Sequence, residues 1–142
     1  MGVAGQAQSF SGAVIFNISG VVTFEHGSSF HSAGWIKLMA QGLRFDRAAV
    51  QSPSLNFYHD SCDEGIRATG LTVQASKQIN IWCPLGNVNV TSSKLLVRSS
   101  SRSRGLSIYA RNIYLEETFS LLHNNFLYSF PILFHFFFMI SV

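Results

Sequence analysis

From Leu71 to Leu115 apolar and polar residues alternate in short bursts: Leu71, Val73 and Ala75; Ile79 and Ile81; Val88 and Val90; Leu106, Ile108 and Ala110; Ile113 and Leu115. Successive side chains of a strand point to opposite faces, so each burst describes a strand with one face buried. Ser76-Lys77-Gln78, Pro84-Leu85-Gly86 and Ser101-Arg102-Ser103-Arg104-Gly105 lie between the bursts, and all three compositions turn a chain. Burst centres recur about every eight residues, a spacing that suits a meander, a sandwich or a β-solenoid. No gap is long enough for the crossover helix of a βαβ unit. These residues predict an all-β fold: short strands in an elongated β-solenoid-like or meander arrangement.

The preceding residues extend the pattern less regularly. Phe10 to Phe24 reads as strand, Ser19-Gly20 turn and strand, while Glu25 to Gly34 reads as a polar loop. Trp35 to Phe45 reads as two short strands about a turn at Gln41-Gly42. In the less regular Asp46–Gly70 stretch, Ala49 to Pro53 reads as a strand stopped by its proline, and Leu55 to Tyr58 as another short burst. Met1 to Gln8 lacks the basic start of a secretory signal.

Charged residues are only 12% of the chain, about half the usual share. The net charge of +3 owes as much to scarce carboxylates as to abundant cations. Nucleic-acid binders gather cations on one face. Here Lys37, Arg44, Arg47, Arg67, Lys77, Lys94 and Arg111 are spread along the chain, and only Arg98, Arg102 and Arg104 cluster, in a stretch that reads as a solvated turn. No nucleic-acid partner is expected.

His26 and His31 have no third ligand nearby, and the carboxylates Asp60, Asp63 and Glu64 lack the spacing of a calcium loop. The segment from His59 to Gly65 gathers His59, Asp60, Cys62 and Asp63, but nucleophile and base normally meet across a fold rather than along one loop. It reads as a polar turn. Neither enzyme, cofactor nor metal is predicted. Cys62 and Cys83 are too few for a tetrahedral zinc site. They are a candidate disulfide or two buried thiols, depending on whether their Cα atoms come within about 7 Å. Asn17-Ile18-Ser19 and Asn89-Val90-Thr91 are sequons, which makes Asn17 and Asn89 candidate glycosylation sites. Asn89 faces away from Val88 and Val90, toward solvent.

Ala75-x-Lys77-x-Ile79-x-Ile81, Gly86-Asn87-Val88, Leu96-x-x-Ser99-Ser100 and the run from Gly105 to Leu115 resemble the extracellular region of the sarcoglycans, the gamma, delta and zeta members above all. Ser19-Gly20-Val21, Gln41-Gly42-Leu43-Arg44-Phe45 and Gln51-Ser52-Pro53 extend the likeness upstream, so that it spans roughly Ser19 to Leu115. It rests on pattern and scattered identities. The resemblance implies a single-pass plasma-membrane (sarcolemmal) glycoprotein with its β-rich domain outside the cell. Its partners would be other sarcoglycan-like chains, wound together into a β-helical stalk, and the dystrophin-associated proteins that join actin cytoskeleton to extracellular matrix in muscle. Without the resemblance, the residues are also those of a membrane-tethered β-rich binding module for an unrelated ligand.

Two departures stand out. Ser92 takes a place where the family carries a cysteine, and neither the family's amino-terminal membrane helix nor its cysteine-rich terminal module is visible. The chain therefore divides into a partial β-rich domain, 1–117, and an apolar tail, 118–142. Phe126 to Val142 is shorter than the roughly 20 residues of a spanning helix and contains Pro131 and His135. The tail is consistent with a helical membrane segment, a buried hairpin or helix, or an extension without an evolved role.

Overall fold

The computed structural model describes residues 2–3, 7–58, 62–97, 105–116, 119–123, 126–130 and 134–141. All strands join one 15-stranded sheet, wound into a mainly parallel β-solenoid. Among the described residues no helix is long and apolar enough to cross a membrane.

β1 (Gly2–Val3) pairs beneath the first layer, which is built from β2 (Ala7–Phe10), β3 (Val14–Asn17) and β4 (Val21–Phe24). The second layer is β5 (Ser29–Ser32), β6 (Ile36–Met39) and β7 (Gly42–Asp46). In the third, β8 (Ala49–Tyr58) serves two faces and β9 (Gly65–Thr69) the last. β10 (Thr72–Thr91) supplies all three faces of the fourth layer, with register shifts between Ala75 and Gln78 and between Cys83 and Asn87. β11 (Lys94–Val97) and β12 (Leu106–Glu116) form the fifth.

Strands of successive layers stack in parallel on three faces. Face A carries β2, β5, the start of β8, the start of β10 and β11. Face B carries β3, β6, the end of β8, the middle of β10 and the start of β12. Face C carries β4, β7, β9 and the ends of β10 and β12.

Alternation within each strand puts one column of apolar side chains inside and the next outside. Val22, Leu43, Ile66, Val88 and Ile113 stand one above another on face C. Ile36, Leu55, Ile79 and Leu106 do the same on face B. Leu55, Ile79, Val88 and Ile113 are wholly buried, and each contributes about 1.5–3 kcal/mol by leaving water. The lower core is aromatic: Phe24 stacks on Phe45 with centroids 4.8 Å apart and meets Phe30 edge-on at 5.3 Å.

The corners between faces have their own columns. Where face C turns into face A, Gly27, Arg47, Gly70 and Ser92 each take a positive φ, and the residue after each is buried: Ser28, Ala48, Leu71 and Ser93. The four buried serines are all hydrogen-bonded, as buried hydroxyls must be. Ser93 donates to the Thr91 carbonyl at 2.9 Å and accepts the Leu71 amide at 3.0 Å. Ser52 donates to the Gly34 carbonyl at 2.9 Å, Ser32 to the Gly12 carbonyl at 2.5 Å and Ser28 to the Glu25 carbonyl at 2.7 Å.

Several expectations change at this level. The polar stretch from Glu25 to Gly34 is not all loop, because Ser29–Ser32 pairs on both sides, with β2 and β8. Pro53 does not end its strand; it bends β8 from face A to face B, where its missing amide costs little. The Ser76-Lys77-Gln78 and Pro84-Leu85-Gly86 breaks are likewise corners inside one continuous strand. The tail is not helical where described. β13 (Phe119–His123) adds to β11 in parallel, then β14 (Phe126–Phe130) and β15 (Phe134–Ser141) run antiparallel on β13 and β12. Backbone groups at the upper edge of the stack offer such strands a full ladder, which a helix would forgo.

Candidate interaction surface

The outward columns are the chemistry this fold offers. On face B, Tyr58, Trp82 and Tyr109 are in register. Their rings stack, Tyr58 on Trp82 with centroids 6.0 Å apart and Trp82 on Tyr109 at 4.5 Å. The Lys37 Nζ lies 5.2 Å from the Tyr58 ring centroid, a cation–π contact from the layer below. Beside this ladder, the Asn80 side-chain amide donates to the Asn56 side-chain carbonyl at 2.9 Å. The sequence bursts did not reveal the ladder, because Tyr58, Trp82 and Tyr109 belong to different strands. Their separation by about one layer length was the only signal available.

Face A is more polar. His31, Gln51 and Gln74 form one outward column, and with Ser76 and Leu96 they line an open groove of about 250 Å³. His31 is thus a strand residue of this groove, and His26 lies in the turn before it.

Face C carries Arg44, Arg67, Asn89 and Tyr114 in one column. Arg44 is committed to structure. Its guanidinium donates to the carbonyls of Leu43 and Gly65 at 3.1 Å and Glu64 at 3.0 Å, with the Glu64 carboxylate 3.9 Å away. Arg67, Thr69, Asn89, Thr91 and Tyr114 border a shallow depression of about 370 Å³. Asn89 is half-buried between Arg67 and Tyr114, whereas Asn17 is exposed at the end of β3. Both asparagines are outward-facing.

Cys62 and Cys83 form a disulfide with Cα atoms 5.0 Å apart, both buried. It ties the connection before β9 to the layer above it. Gly86 completes this corner: a Cβ there would collide with the Cys62 carbonyl and approach the Gly65 Cα to 2.7 Å. Cys62 therefore presents no thiol nucleophile. His59 and Asp60 lie outside the described residues, as do Arg98, Arg102 and Arg104. Among the described residues no cluster of three His, Cys, Asp or Glu side chains is placed to hold a metal.

No protein-family model, curated protein or solved structure matches this chain.

Proposed function

We propose that the chain is a structural subunit, a stalk element completed by neighbouring polypeptides in a sarcoglycan-type complex of the plasma membrane. In that role it belongs to a dystrophin-associated assembly joining the actin cytoskeleton to the extracellular matrix. One observation carries the reading. Inward side chains of the first layer, Phe10, Val14, Phe16 and Ile18, are only partly buried. In the layers above, the same columns are closed by Ile36, Leu38, Leu55 and Phe57. Among the described residues β2 and β3 each pair on one side only, and unpaired edges over a half-closed core are what an added strand layer would satisfy. The disulfide suits an oxidising compartment, where Asn17 and Asn89 would be glycan acceptors.

Affinity purification of the tagged chain from muscle membranes tests this. Stoichiometric recovery of other sarcoglycan-like chains is expected, and a stable soluble monomer that captures none of them would overturn it. The groove of His31, Gln51 and Gln74 favours a second reading, a binding module for a polar ligand of unrelated kind. A saturable ligand titration abolished by Gln51→Ala and Gln74→Ala, from a monomeric chain, would select that reading instead.

A further inference from the structure

The large apolar side chains that remain well exposed among the described residues are all on face B or the corners bordering it. Ile15 is 58% exposed on β3, Trp35 42% just before β6, Tyr58 39% at the end of β8, Trp82 38% within β10 and Leu85 58% at the turn toward face C. Single exposed apolar residues are ordinary, but their gathering on one of three faces marks a surface that meets something.

Two features narrow what it meets. Among the described residues the outward columns of face B contain no carboxylate; of those described, Asp63 and Glu64 come nearest, on the corner toward face C, and Glu64 faces Arg44. Lys37 stands in the middle of the face, with exposed Lys77 and Arg111 at its two corners. The face is thus apolar, aromatic and cationic at once. In addition, Tyr58, Trp82 and Tyr109 turn their ring faces on one another. Both faces of the Trp82 ring are taken by its neighbours, and its edge is what it presents outward, a poor platform for a stacked sugar. Tryptophan and tyrosine beside aliphatic side chains and lysine are the composition of a water–bilayer boundary.

We propose that face B lies against an anionic lipid surface. Ile15, Trp35 and Leu85 enter the headgroup region, and Lys37, Lys77 and Arg111 meet lipid phosphates. This contact is peripheral, needs no spanning segment and is independent of the stalk reading.

Both tryptophans of the chain, Trp35 and Trp82, are on this face or its border, so tryptophan emission, excited clear of tyrosine, reports it. The full chain is titrated with phosphatidylcholine vesicles with and without phosphatidylserine. A blue shift and co-sedimentation are expected with phosphatidylserine only, weakening with salt. The triple variant Ile15→Ser, Trp35→Ser, Leu85→Ser should partition at least ~10-fold less, and Lys37→Gln with Lys77→Gln about fivefold less per charge removed. Absence of any shift overturns the proposal. So does binding that survives the triple variant, which would move it to the 118–142 tail. A blue shift that grows with protein concentration in the absence of vesicles also overturns it, in favour of a second copy of the chain. Should the triple variant fail to fold, the lysine pair decides: vesicle binding indifferent to their loss overturns the proposal.

Discussion

Arg47 and Gly70 occupy the same corner of successive layers. The Arg47 amide donates to the Thr69 carbonyl at 2.8 Å, and the Gly70 amide to the Thr91 carbonyl at 3.0 Å. Both have left-handed backbones, φ 48° at Arg47 and 64° at Gly70, and Ser92 continues the column at 50°. A left-handed residue turns the chain from face C to face A while each amide still finds a carbonyl in the layer above. The corner is thus paired like the strands it joins.

Left-handed backbone costs a residue with a Cβ about 1–2 kcal/mol. Gly70→Ala should therefore lower stability by about that amount, since the Arg47 side chain 2.8 Å from the new Cβ can swing aside. Ser92→Gly should raise stability by about 0.5 kcal/mol, the relief being partly offset by the freer unfolded chain. Urea midpoints of both variants check the opposite signs.

At the other corner the obstruction is backbone. Gly86→Ala drives a methyl into the Cys62 carbonyl and the Gly65 backbone and should cost about 3 kcal/mol, at the upper end for overpacking. Gly12→Ala meets nothing within 4 Å and should leave the denaturation midpoint within experimental error. Equal effects from the two substitutions would contradict this packing.

The disulfide closes a loop with a sequence separation of 21 residues. Chain entropy assigns such a closure about 3 kcal/mol. Reduction, or the double variant Cys62→Ser and Cys83→Ser, should shift the equilibrium unfolding curve by that amount without loss of the β circular-dichroism signal before the transition.

Stacking within the aromatic ladder should appear as coupling. A double-mutant cycle of Tyr58→Ala and Trp82→Ala is expected to give a coupling of about 0.5–1.5 kcal/mol, the double variant losing that much less than the sum of the single effects. Trp82→Ala alone should cost more than Tyr58→Ala, because Trp82 has a ring on both sides.

The Asp46 carboxyl is held below the usual carboxylate range, chiefly by the hydrogen bond from the Arg47 guanidinium at 3.1 Å. A lowered folded-state pKa stabilises the fold above the unfolded pKa, and the benefit is lost as pH falls through the folded value. Stability curves of the parent and Asp46→Asn should therefore meet in acid and separate slightly toward neutral pH. Both side chains are solvent-exposed, so the separation should shrink in salt.

Alternation was enough to identify strands and their buried faces: the inward Ile79, Ile81, Val88, Val90 and Ile113 are all core residues. It was enough because period two is a local property of each strand. Alternation did not reveal β5 within Glu25–Gly34, where Phe30 is the single large apolar residue and Ser28 and Ser32 fill inward places. Small hydroxyls are buried there because corner carbonyls accept their protons: Ser28 uses the nearby Glu25 carbonyl, but the acceptor of Ser32 is Gly12, in the layer below and out of reach of local pattern.

By itself the sequence determined the all-β class, the inward columns and two cysteines close enough in the chain to close a short loop. Only the tertiary structure decided that breaks at Pro53, Ser76 and Pro84 are corners of continuous strands, that Cys62 meets Cys83, and that Tyr58, Trp82 and Tyr109 share one outer column. Side-chain alternation depends on neighbours in the chain, whereas vertical order depends on how many residues each corner consumes. Layer length varies from 21 to 25 residues along the column of Val22, Leu43, Ile66, Val88 and Ile113. Hydrogen bonding between layers, rather than a constant repeat, sets which residues stand above one another.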